Sequence, residues 1–138
     1  MNHKMFPLFR CNLVAFVVFS SVLCCGCSKG PGYKVVPIEG TITYKGEPLQ
    51  NVILDFAVEN YRTSGAVVQA GGKFKAVHSP SQLGIPIGKC IMRMGWGGRD
   101  GTAPPAEYTE LFSKYGLDSA GYVFEITRAD KDFRIDLD

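Results

Sequence analysis

His78 is one of two histidines in the chain, and the other, His3, belongs to the N-terminal lead. Ser79 and Ser81 follow it closely. The first chemistry to weigh is therefore acyl transfer, in which an imidazole takes a proton from a serine hydroxyl while a carboxylate orients the ring. No serine here has the glycine-flanked elbow that presents a nucleophile, and nearness along the chain does not put a hydroxyl on a ring nitrogen. His78 reads instead as a strand-end histidine facing solvent or a neighbour, and no residue is assigned a catalytic role. Asp130, Asp132, Asp136 and Asp138 raise the question of calcium. On one strand face Asp132, Asp136 and Asp138 stand about 6.5 Å or more apart, too splayed to share an ion without other loops, so no metal is expected. Gly95-Trp96-Gly97-Gly98 lacks both the strand-then-helix setting and the Lys-Ser/Thr ending of a phosphate loop. Cys90 alternates with Met92 and Met94, which makes it a small buried hydrophobe and not a reactive thiol. No cofactor motif is present.

The N-terminal cysteines point to a different chemistry. His3, Lys4 and Arg10 form a charged lead, followed by an uncharged run from Cys11 to Ser28 whose most apolar part is residues 13–19. On length the run could pass for a membrane span, but the short apolar centre followed at once by small residues and cysteines fits an export signal better. Cys24, Cys25 and Cys27 close the run, with Gly26 directly before Cys27. This resembles the lipobox of bacterial lipoproteins, in which a small residue precedes the cysteine that is lipidated and becomes the first residue of the mature protein. The position that usually holds Leu is Cys24, with Leu23 one place earlier. The resemblance implies lipidation at Cys27, with Cys24 and Cys25 as the alternatives. A metal cluster is disfavoured because no second His/Cys group stands downstream to complete four ligands.

Taking 26 residues from 138 leaves 112, and with Lys4 and Arg10 gone Lys+Arg falls from 15 to 13, equal to the 13 Asp+Glu. The mature chain is then neutral, and no basic patch argues for nucleic acid. A chain of this size can bury roughly 65% of its unfolded surface, enough for one core without disulfides.

These side chains must be carried by short strands. Residues 38–58 read as two of them joined by a tight turn: Ile38, Ile42 and Tyr44 alternate with polar residues, and after Gly46-Glu47-Pro48 the alternation resumes with Val52, Leu54, Phe56 and Val58. A period of two puts each apolar set on one face. Residues 66–70 and 73–78 flank Gly71-Gly72, the signal of a hairpin whose turn needs positive φ. Residues 89–94, 122–126 and 133–137 alternate likewise, with Phe133, Ile135 and Leu137 closing the core at the chain's end. Residues 95–105 read as an irregular loop holding Trp96, and residues 106–115 as a short helix stopped by Gly116. Seven short strands with turn signals between them predict a two-sheet sandwich. The expected layout is a lipoprotein signal peptide over 1–26, a tether over 27–34 and the β-domain over 35–138.

Gly40-Thr41-Ile42-Thr43-Tyr44-Lys45-Gly46-Glu47-Pro48-Leu49 followed by Val52-Ile53-Leu54-Asp55-Phe56 resembles the opening of transthyretin-like, carboxypeptidase-regulatory-like domains. Gly72-Lys73-Phe74 and Ile85-Pro86-Ile87-Gly88-Lys89-Cys90 are similar to that family's later turn and its lead into a strand. The layout through Pro105-Ala106-Glu107-Tyr108 resembles small lipoproteins of planctomycete-type bacteria. In this chain Gly71 replaces the turn Asp, Ile87 a second Pro, and Cys90 an aromatic. The resemblance implies an all-β, seven-stranded transthyretin-like (prealbumin-like) sandwich serving as an accessory, adhesion or binding module, with no catalytic residues to transfer.

The function expected is a non-enzymatic binding or structural module of the cell envelope. It would be held at a membrane by lipidated Cys27 and would engage an envelope protein or glycan, with no cofactor and no nucleic acid. One alternative is a subunit that pairs through an edge strand, and another is a small hydrolase using His78. Trp96, on its glycine-rich stretch, is either a lid over the open end of the sandwich or a contact for a partner.

Overall fold

The computed structural model describes residues 32–138. The expected signal segment and Cys24, Cys25 and Cys27 lie outside the described residues. The domain is all-β with one short helix. Its strands are β1 (Val35–Val36), β2 (Ile38–Tyr44), β3 (Glu47–Pro48), β4 (Val52–Val58), β5 (Ser64–Val67), β6 (Lys73–Lys75), β7 (Val77–Ser79), β8 (Gln82–Leu83), β9 (Ile85–Pro86), β10 (Gly88–Trp96), β11 (Tyr122–Ile126) and β12 (Asp130–Leu137); the helix is α1 (Thr109–Tyr115). Every run read from the sequence overlaps strand here, although the one over 66–70 is strand only as far as Val67. The described strands number twelve instead of seven because the 73–78 run divides and β1, β3, β8 and β9 are two-residue pairings with no readable period.

Strands β11-β10-β4-β5-β7-β8 form one sheet; a second has the order β12-β2-β3, with β6 also paired to β2, and β1 pairs with β9. Ile38, Ile42 and Tyr44 from β2, Leu54 and Phe56 from β4, Met92 and Met94 from β10, and Ile135 and Leu137 from β12 belong to one buried cluster. The Phe56 and Phe74 rings, one from each large sheet, lie 5.8 Å apart. Both sheets thus turn their apolar faces to a shared core.

The structure corrects the expected hairpin over residues 38–58. β2 and β4 lie in different sheets and do not pair. β2 takes β12 in parallel along one edge and β3 and β6 antiparallel along the other, while β4 is filled by β10 and β5. With both edges of each strand occupied by long-range partners, neither has a ladder to offer the other. The turn at Gly46 closes only the two pairs Thr43↔Pro48 and Tyr44↔Glu47, and residues 49–51 then cross between the sheets.

Gly71-Gly72 is corrected in the same way. Both residues have positive φ, and Gln69 N–H donates to the Lys73 carbonyl at 2.8 Å, so the tight turn is present. The strands leaving it diverge, β5 to β4 and β6 to β2. A Cβ on Gly72 would stand 2.4 Å from the Ile42 carbonyl oxygen, so only glycine permits that approach. At buried Ala76 the chain changes sheet again, its N–H donating to the Ile38 carbonyl at 3.0 Å. The helix begins with a 3-10 turn, Ala106–Tyr108, before α1, and Gly116 ends it.

Candidate functional site

His78 faces inward and is 4% exposed. Its Nε2 lies 2.6 Å from the Tyr33 hydroxyl and its Nδ1 2.9 Å from Ser64 Oγ. Since a hydroxyl can donate or accept, the pair satisfies either neutral tautomer of the ring. The serine that the fold brings to His78 is therefore Ser64, 14 residues away, and not Ser79 or Ser81, whose hydroxyls face each other 3.5 Å apart at the surface. Of the two expected placements, solvent or a neighbour, the ring takes the neighbour. Ser64 is fully buried, and among the described residues no carboxylate hydrogen-bonds His78. Burial first, and the charge of Arg62 second, hold the His78 pKa below its ordinary value. A buried imidazole between two hydroxyls is a cross-brace that orders Tyr33. Tyr33 also stacks on Tyr61 with centroids 4.2 Å apart, and the Lys34 carbonyl accepts from Ile87 N–H at 3.1 Å. The two residues read as the end of the tether are thus fixed to the domain.

Trp96 is not on a loop. It is the last residue of β10, paired with Val52 of β4, and it is half-buried. The glycines that suggested irregular chain serve it in another way. Gly98 passes so close that a Cβ there would stand 2.3 Å from the indole nitrogen, and Trp96 Nε1–H donates to the Thr102 carbonyl at 2.7 Å. The indole thereby pins residues 97–102 against itself. On its other side it meets Tyr108 edge-on at 6.0 Å, and Tyr108 meets Phe112 edge-on at 6.2 Å.

Tyr108 forms one wall of an open groove of about 560 Å³, within the roughly 300–1,000 Å³ typical of small-molecule sites. Pro48 supplies exposed apolar surface, Tyr44 and Leu49 line the groove but are almost wholly buried, and Glu47, Gln50 and Glu107 are exposed around it. Lys45 borders the groove with its ammonium 4.9 Å from the Tyr44 ring centroid, and it donates to Glu110 Oε2 at 2.7 Å. The Tyr44 hydroxyl donates to the same oxygen at 3.3 Å. The hydrogen bond from Lys45 holds the Glu110 carboxyl below its usual range, and the same bond raises the Lys45 ammonium above its own. Glu47 and Glu107 take part in no ion pair among the described residues. The groove was not legible because its walls, the β2–β3 turn and the turn before α1, are more than fifty residues apart. The available signal was the aromatic spacing Tyr108, Phe112, which reads as a helix face.

The remaining candidates serve structure. Cys90 is fully buried, and burial pushes its thiol up to about 12. Asp136 accepts from the Thr43 hydroxyl at 2.7 Å and Asp130 from the Asp132 N–H at 2.9 Å. No group of three or more His, Cys, Asp or Glu side chains among the described residues is arranged to hold a metal. No helix among them is long and apolar enough to cross a membrane. Comparison with known proteins finds no family model, no curated protein and no solved structure that significantly matches the chain.

Proposed function

We propose that the protein is an exported, lipid-anchored binding module of the cell envelope, built on a transthyretin-like sandwich and without enzymatic activity. The observation that carries this reading is the contrast between His78 and the groove. The imidazole is occupied by two hydroxyls inside the domain, while the open groove beside Tyr108 offers aromatic surface and hydrogen-bonding groups with no histidine, serine or cysteine in its lining. Such an open surface, with its carboxylates on exposed residues, suits recognition. The Gly26-Cys27 pair after the apolar run supports a lipid anchor. The sandwich reading rests on the shared core of the two sheets and on the seven alternating runs.

Intact mass spectrometry of membrane-extracted protein tests the anchor, with loss of residues 1–26 and an added acyl mass as the expected result. A retained N-terminus or an unmodified Cys27 refutes it. Cross-linking of the anchored protein to its envelope neighbours tests the binding role.

A second reading, a subunit that pairs through a sheet edge, draws on β11. It is paired on one side only, by β10, and its run Tyr-Val-Phe-Glu-Ile carries neither Lys nor Pro to blunt the edge. Cross-links concentrated on residues 122–126 would favour this subunit role; cross-links around Tyr108 would favour the groove.

A further inference from the structure

From the groove's chemistry we infer that its ligand is a saccharide chain without net negative charge. This rests on the binding-module reading and deepens it by naming the ligand class.

A pyranose ring is amphipathic: its C–H groups form an apolar face and its hydroxyls, each both donor and acceptor, project from the rim. A complementary site needs aromatic or aliphatic planes for the face and flat bidentate acceptors and donors for the hydroxyls. The groove has both. Tyr108 is wedged between Trp96 and Phe112, with edge-on contacts on two sides, so its ring is held in place before any ligand arrives. Preorganisation of this kind lowers the ordering cost of binding. Exposed Pro48 lines the same space, while the Tyr44 ring, buried and covered by the Lys45 ammonium, backs it. Around these planes stand Gln50, which both donates and accepts, and the carboxylates of Glu47 and Glu107, which accept from paired hydroxyls.

Charge selects among sugars. Lys45, the cation of the lining, is engaged by Glu110 at 2.7 Å. Glu47 and Glu107 have no ion-pair partner among the described residues. The potential presented to a ligand is therefore negative, which disfavours phosphates, sulfates and uronic acids and suits neutral or amino sugars. A purely apolar ligand would strip water from the rim carboxylates without replacing their hydrogen bonds. The groove is also partly open to solvent and not an enclosed cavity, which leaves room for a chain that continues past the contact.

The test is isothermal titration of the full processed protein in detergent with three β-1,4-linked hexasaccharides: a neutral glucose hexamer, a glucosamine hexamer and a uronic-acid hexamer. The neutral and amino hexamers should bind saturably, and at least about tenfold more tightly than the anionic one. Tyr108→Ala should weaken them by at least about tenfold. Because Tyr108 also supports Trp96, the exposed rim substitutions Gln50→Ala and Glu47→Gln are measured beside it, and each should weaken binding several-fold with an unchanged melting temperature. Lys75→Ala, outside the groove lining, should bind as the parent does. Absence of saturable binding to both uncharged and amino hexamers by folded protein overturns the proposal. So does equal binding of the anionic hexamer, or binding indifferent to Tyr108, Gln50 and Glu47. Envelope cross-links mapping to Tyr108 alongside such a failure would leave the binding-module reading intact and point the groove to a protein ligand. A glucose monomer included as a fourth titrant separates a site for free sugar, which it would saturate equally well, from a site for a chain.

Discussion

The two polar residues that matter most for stability, His78 and Ser64, are buried where a single unmet hydrogen bond costs about 1–3 kcal/mol. Because the folded pKa of His78 is depressed, the folded state binds fewer protons than the unfolded chain once the pH drops below the ordinary histidine value near 6.5. The contribution is therefore complete above pH about 6.5 and is lost as pH falls through the lower folded value. The melting temperature should fall between pH 7 and 5, and His78→Gln should flatten that slope in a pH series followed by circular dichroism. The Glu39–Lys75 and Lys45–Glu110 pairs involve carboxyls lowered from 4.5, so their losses begin below this window. Cys90 supplies a second check at this scale. With the thiol near 12 and no exposed surface, alkylation of Cys90 in native protein should be negligible and should rise only with unfolding, as peptide mapping after iodoacetamide would read. Trp96→Phe keeps the ring against Tyr108 but loses the bond to the Thr102 carbonyl; a cost of about 0.5–1.5 kcal/mol is expected in chemical denaturation.

Among the elements, β12 and β2 depend on each other most closely. They run parallel from Phe133↔Gly40 to Leu137↔Tyr44, although the two strands lie at opposite ends of the domain sequence. At Gly40 a Cβ would stand 1.9 Å from the Phe133 carbonyl oxygen. This backbone atom cannot step aside without parting the ladder, so Gly40→Ala should destabilise by about 1–3 kcal/mol, measured by urea unfolding. Ile135 and Leu137 are fully buried, and each contributes roughly 1.5–3 kcal/mol through burial, against about 5–15 kcal/mol for a whole domain. Deleting residues 132–138 also strips one edge of β2. That truncation should abolish cooperative unfolding; a melting curve within a few degrees of the parent would contradict this role for β12.

For the whole molecule the clasp at Tyr33 has a geometric consequence. If Cys27 is the lipidated residue, six residue steps separate it from Tyr33, a reach of about 20 Å at most. The domain would then stay close to the bilayer with its Tyr33 end toward it. On that proposal the processed chain would be neutral, with no net charge to hold an anionic surface, and attachment would rest on the acyl group. Membrane fractionation should accordingly show retention in 1 M salt and release by Cys27→Ser. Release of the parent by salt would contradict a lipid anchor and favour a protein tether.

The longer strands were legible, because alternation is a local property and the inward residues of β2, β4, β10 and β12 are those that alternation selects. The Gly71-Gly72 turn was legible too, since positive φ is a demand made on single residues. What the local pattern could not decide was partnership. Alternation states that Ile42 and Leu54 face inward but not whether their strands share a sheet, and long-range pairing filled both edges of β2 and β4 and sent them apart. For the same reason Ser64, Tyr33 and the groove wall at Glu47 carried no readable signal. Their roles arise from contacts across 14, 45 and some sixty residues, which only the closing of two sheets over one core brings together. Trp96 shows the opposite limit. Its neighbouring glycines read as an irregular loop, whereas the folded chain uses Gly98 to pass close against the indole, an approach visible only once the ring has a place.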